Sequence, residues 1–227
     1  MADKWLTFDC YGTVADWNTC MRGALEGIAG ISQTDASRLL IAYHQAELEL
    51  EAGPGWRPYR DILSAGLARA AEREQVTLPP GGAEAFVRAW PDMQVFPDSG
   101  PALTALRERG WLLAFLTNCD QDLFASTRAR LPAPFDLWVT AEDVRSYKPD
   151  LAHFRKFAEK TGVTKSNWIH VANSWVHDML PAARMGLRSV WVDRDLTGHP
   201  AKLADRRITS MRRLPEAVDD VSAISTR

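Results

Sequence analysis

Lys4-Trp5-Leu6-Thr7-Phe8-Asp9-Cys10-Tyr11-Gly12-Thr13 is the stretch whose reading decides the fold. An apolar run ends in an aspartate, and a glycine turn follows at once. Trp5–Phe8 is near-continuously apolar, the pattern of a strand buried on both faces of a parallel sheet. Open parallel sheets build their sites at the carboxyl edge, and Asp9 stands there. Four more segments read the same way: Trp111–Leu116, Phe135–Val139, Trp168–Ala172 and Ser189–Val192. Helical patterns separate several of them. Ser99 is the expected cap of a helix with Pro101 in its first turn and Gly110 at its end. A second helix is expected from about Asp150, with Leu151, Phe154 and Phe157 on its apolar face and Gly162 as its stop. A third is expected over Asp178–Met185, with Pro181 in an early turn. Alternating strands and helices make the fold class α/β, a Rossmann-like doubly wound parallel sheet.

The stretch between the first two strands is different. Leu25, Ile28, Leu39, Leu40, Leu48, Leu50, Ile62, Leu63 and Leu67 recur at helical spacing with no strand among them. Gly53-Pro54-Gly55 and Leu78-Pro79-Pro80-Gly81-Gly82 break the run into separate helices. The expected division is a core of residues 1–15 and 98–227 and an all-helical cap of residues 16–97, placed to close over Asp9 as a lid. After about Gly198 the chain is polar and weakly patterned.

Composition sets the limits. The 227 residues are 46% hydrophobic, enough for a substantial core with an insert. A net charge of −2 with no basic block points away from a nucleic-acid partner. Cys10, Cys20 and Cys119 lie far apart and show no metal-type spacing, so a reduced, cytoplasmic setting is expected. The N-terminus is too short and polar for a signal peptide, and no apolar run is long enough for a membrane span.

If the strands run parallel, Asp9, Thr117-Asn118, Lys148-Pro149 and Asn173 through Asp178 converge on one crevice. This set resembles the haloacid dehalogenase superfamily, closest to its type II 2-haloacid dehalogenases. The family's D-x-x-G-T is matched by Asp9-Cys10-Tyr11-Gly12-Thr13. Its Ser or Thr after the second strand is matched by Thr117, and its Lys before Pro by Lys148. Its polar run closing on an acid is matched by Asn173-Ser174-Trp175-Val176-His177-Asp178.

The resemblance implies an aspartate nucleophile, Asp9, kept ionised by Lys148 and forming an ester with the substrate. Thr13 and Thr117 would position that ester, and Asp178 would orient the water that hydrolyses it. Tyr11, Asn118, Asn173 and Trp175 are the substrate-side candidates, Asn118 as a donor to a departing halide. Family phosphatases carry an Asp two residues after the nucleophile to protonate the leaving alkoxide. Here that residue is Tyr11, and a halide needs no proton. Asn173 stands where phosphatases usually place a magnesium-binding acid. Both substitutions favour a small 2-haloacid substrate and no cofactor.

The alternative is a magnesium-dependent phosphatase using Asp9 and Asp178 as ligands. A second alternative is a non-catalytic relative that binds a ligand or a partner. The family's cap arginine has no counterpart in Ile41-Ala42-Tyr43-His44-Gln45, which leaves Arg57 and Arg60 as the candidate carboxylate-binding cations. Phe154 replaces the family's Tyr six residues after the lysine. The resemblance also carries the expectation of a homodimer.

Overall fold

The computed structural model describes residues 3–224. The chain forms two compact units, one of residues 1–15, 95–118 and 130–227, the other of residues 16–94 and 119–129. The first unit holds a six-stranded sheet: β1 (Trp5–Phe8), β2 (Leu112–Thr117), β3 (Leu137–Thr140), β4 (Trp168–Ala172), β5 (Arg188–Val192) and β6 (Arg206–Ile208). The order is β3-β2-β1-β4-β5-β6, and every pairing is parallel. From β1 the chain builds outward through β2 and β3, then returns to the other side of β1 with β4. The carboxyl ends of β1 and β4 therefore flank the switch point, where such sheets open a crevice.

β1 is central and wholly buried. Trp5 packs edge-on against Phe157 with ring centroids 5.3 Å apart, in a cluster with Leu116, Val139, Phe154 and Trp168. Phe154 and Phe157 come from the helix Ala152–Thr161, which Gly162 ends. This helix begins two residues later than the sequence pattern suggests, with Asp150 accepting from the Ala152 N–H at 2.8 Å.

Three expectations are corrected. Ser99 is the first residue of the helix Ser99–Glu108 rather than its cap, and its hydroxyl donates to Val14 O at 3.2 Å. Asp178 does not begin an α-helix. It lies in a π-helical turn, Trp175–Met179, that runs into the helix Leu180–Met185. The tail, weakly patterned in sequence, supplies a sixth strand, β6, and the helix Leu214–Ser222.

The second unit contains the helices Trp17–Glu26, Gln33–Glu51, Tyr59–Glu74 and Gly82–Arg88. The helix Gln121–Arg128, which follows β2 in sequence, also belongs here. Its entry is tied down by Asp120, whose carboxylate accepts the N–H groups of Tyr59 and Arg60 at 2.7 and 3.0 Å. Trp90 Nε1 adds a bond to Leu123 O at 3.1 Å. The two longest helices meet where Tyr43 lies on Gly66, and a Cβ at Gly66 would fall 2.8 Å from that ring. Among the described residues no helix is long and apolar enough to cross a membrane.

Candidate active site

The turn after β1 returns Thr13 onto Asp9. Val14 and Ala15 donate their N–H groups to Cys10 O at 2.8 and 2.9 Å, and Gly12 takes a φ of +83°, a conformation side chains disfavour. Thr13 Oγ1 then donates to Asp9 Oδ2 at 2.8 Å and accepts the Asn173 N–H at 2.8 Å. One hydroxyl thus joins the loops after β1 and β4. Cys10 is buried, as packing on the strand requires.

Lys148 crosses beneath these loops and is 1% exposed. Its ammonium donates to Asp9 Oδ1 at 2.9 Å, Asp178 Oδ1 at 2.8 Å and Leu116 O at 2.8 Å. An ammonium has three donors, and all three are used. Burial disfavours its charge, but the two carboxylates outweigh that and hold its pKa well above the ordinary lysine value. Asn118 fixes the backbone beneath it. Its Oδ1 accepts the Lys148 N–H at 2.8 Å and its Nδ2 donates to Lys148 O at 3.0 Å. The carboxamide expected on the halide side is therefore engaged as a clamp on Lys148.

The two acids are held differently. Burial is the largest influence on Asp9 and raises its pKa; Lys148 opposes this and the Asp178 charge adds to it. Burial also opposes charge on Asp178, but Lys148 and the His170 N–H prevail and hold its pKa down at about 2. Asp178 Oδ1 takes both donors, His170 Nε2 lying 3.0 Å away. Asp178 Oδ2 is buried and has no hydrogen-bond partner among the described residues. A buried carboxylate oxygen left open costs free energy and keeps its capacity to accept a hydrogen bond.

Asp9, Thr13, Lys148 and Asp178 are thus brought together. Thr117 is buried at the end of β2, one residue beyond the Leu116 carbonyl that Lys148 reaches. Tyr11 is half-buried in the turn, two residues after Asp9. The side chains of Asn173 and Trp175 make contacts of their own. Asn173 Nδ2 donates to Asp195 and its Oδ1 accepts the Arg194 N–H, at 2.8 and 3.2 Å. Trp175 stacks on His199, centroids 5.2 Å apart and planes 7° apart, and also packs on Trp191. In the helical unit Arg57 is exposed. The Arg60 guanidinium is already countered by Asp120 and Asp122 of the same unit.

The chain's own ammonium stands between the two carboxylates, on Oδ1 of each. Among the described residues no group of three or more His, Cys, Asp or Glu is arranged to hold a metal. Sequence reading missed His170. The available signal was one imidazole within the apolar strand Trp168-Ile169-His170-Val171-Ala172.

A family model described as a haloacid dehalogenase-like hydrolase matches residues 4–186. The chain belongs to the haloacid dehalogenase-like hydrolases. An (S)-2-haloacid dehalogenase 4A of Burkholderia cepacia is 26% identical over 205 residues, covering 85% of this chain and 83% of its own. A phosphoserine phosphatase of Thermus thermophilus is 32% identical over 173 residues, 72% of this chain and 67% of its own. A crystal structure of an L-2-haloacid dehalogenase superposes with a TM-score of 0.83 at 23% identity, over 96% of this chain and 100% of that one.

Proposed function

We propose that this hydrolase displaces halide from a small 2-haloalkanoic acid through an ester on Asp9, without a metal. The observation that carries the reading is the buried Asp9–Lys148–Asp178 set with Asp178 Oδ2 left open. An Asp9 oxygen attacks the halogen-bearing carbon, and the halide leaves with the bonding pair. No proton is needed, which suits Tyr11 at the position where an acid would otherwise stand. Lys148 keeps Asp9 ionised despite its burial, and Thr13 aims it.

Ester formation removes the Asp9 charge. Water held on Asp178 Oδ2 then attacks the Asp9 carbonyl carbon and passes a proton to that oxygen. Collapse breaks the acyl C–O bond, and the departing alkoxide takes the proton back. The Asp9 carboxyl releases its proton to solvent, so the products are a hydroxy acid, a halide and one proton.

The phosphoserine phosphatase relative favours a second reading, phosphate-monoester hydrolysis with magnesium. One assay separates the two: halide release from chloro-, bromo- and fluoroacetate and 2-chloropropionate in chelator, beside phosphate release from monoesters with magnesium. Halide release in chelator is expected. Magnesium-dependent phosphate release alone would replace the first reading with the second.

A further inference from the structure

Behind Asp178 lies a run of buried polar groups that the reaction above does not use. Trp168, His170 and Thr7 sit on one face of β4 and β1, and Thr7 is the register partner of His170. Trp168 Nε1 lies 2.7 Å from Thr7 Oγ1, Thr7 Oγ1 2.9 Å from His170 Nδ1, and His170 Nε2 3.0 Å from Asp178 Oδ1. All four residues are nearly or wholly inaccessible. Phe154 closes the face, its ring centroid 4.9 Å from the imidazole at 68°.

The two ends fix the direction of the bonds. An indole N–H can only donate, and an ionised carboxylate can only accept. Thr7 Oγ1 therefore accepts from Trp168, and His170 Nε2 carries the hydrogen given to Asp178. In a neutral imidazole Nδ1 is then the acceptor, and the single Thr7 hydrogen is available to it.

We propose that His170 is the positioning residue for the water-attack step, holding the Asp178 carboxylate by Oδ1 so that Oδ2 stays turned to the ester. The inference rests on the aspartyl-ester reading. Lys148 shares Asp178 Oδ1, but it also bonds Asp9, whose charge vanishes when the ester forms. His170 has no bond to Asp9. Its grip is the one that persists unchanged through the second step, with Thr7 and Trp168 preventing the ring from turning.

The test is a split between the two steps. In His170→Phe, ester formation in a single turnover should stay within about threefold of wild type. Ester hydrolysis should slow by about tenfold or more, the size of effect misplaced catalytic groups give. The ester then accumulates as added mass on the peptide carrying Asp9. His170→Gln can still place an N–H near Asp178 and should recover most of the hydrolysis rate. Equal slowing of both steps, or no recovery with Gln, would overturn the assignment. Nitrogen-detected NMR of the resting wild-type protein gives a readout that needs no substrate. A hydrogen on His170 Nε2 is expected, and a bare Nε2 overturns the proposal. A wild type that forms no ester from any 2-haloacid defeats the functional reading instead, and the NMR result still decides how His170 is bonded.

Discussion

Each of the two units buries carboxylates, and the donors that meet Asp9 and Asp178 in one differ from those that meet Glu47 in the other. In the sheet-bearing unit Asp9 and Asp178 share a buried ammonium, and one carboxylate oxygen is left open. In the helical unit Glu47 is met by hydroxyl groups. Its Oε1 accepts two tyrosine hydroxyls, Tyr43 at 3.2 Å and Tyr59 at 2.5 Å, and His44 Nδ1 stands 3.6 Å from Oε2. The Tyr59 hydroxyl on Glu47 joins the helices Gln33–Glu51 and Tyr59–Glu74. In the proposed reaction the full counter-charge of Lys148 keeps the attacking Asp9 carboxylate ionised. Buried ion pairs seldom add stability over apolar packing, so the Lys148 arrangement is better explained by chemistry than by folding.

The sharpest way to break this comparison is Asp9→Asn. Halide release should fall by on the order of 10⁴-fold or more, as for other nucleophile removals, while circular dichroism shows a folded protein because Lys148 keeps Asp178. Lys148→Met should cost about 3–5 kcal/mol in denaturant unfolding, since two buried carboxylates lose their cation. The same variant loses the main influence lowering the Asp9 pKa. The acid limb of ester formation should therefore move to higher pH; a limb that moved down or stayed put would contradict the assigned electrostatics.

Smaller effects probe the helical unit. Gly66→Ala forces a methyl against Tyr43 and should lower stability by about 1–3 kcal/mol. Glu47→Gln should cost about 1–3 kcal/mol, measured by thermal melts. Burial first, and then the Glu47 charge, raise the Tyr43 and Tyr59 pKa values well above 10. In Glu47→Gln both tyrosines should accordingly ionise at lower pH in an ultraviolet titration. Arg60→Ala should be the mildest, about 0.2–1 kcal/mol, because its pair with Asp122 is largely exposed.

How much could be read in advance depended on the scale of the signal. Trp5–Phe8 and Trp168–Ala172 match their observed strands because burial on both faces leaves a run of apolar residues. The meeting of Asp9, Lys148 and Asp178 followed from topology alone, since parallel strands deliver their carboxyl ends to one edge. Side-chain destinations were not legible. Asn118, Asn173 and Arg60 are polar groups in the expected neighbourhoods, and what captures them is a backbone amide, a later loop or a carboxylate from another segment. Nothing local encodes those partners. His170 was hidden for the converse reason, because an imidazole whose bonds run to Thr7 and Asp178 passes for an isolated interruption of an apolar strand. Residues 119–129 follow a sheet strand yet pack with the helical unit, a choice made by Asp120 on Tyr59 and Arg60.

β6 escaped notice because Arg206-Arg207-Ile208 is short, charged and without apolar alternation. Its outer side is the border of the sheet, where unpaired peptide groups invite a foreign strand to add on. Two arginines there, one bonded to Asp220 and the other to Asp193, oppose such recruitment. The segment poorest in folding signal thus places charge on one of the sheet's two edges.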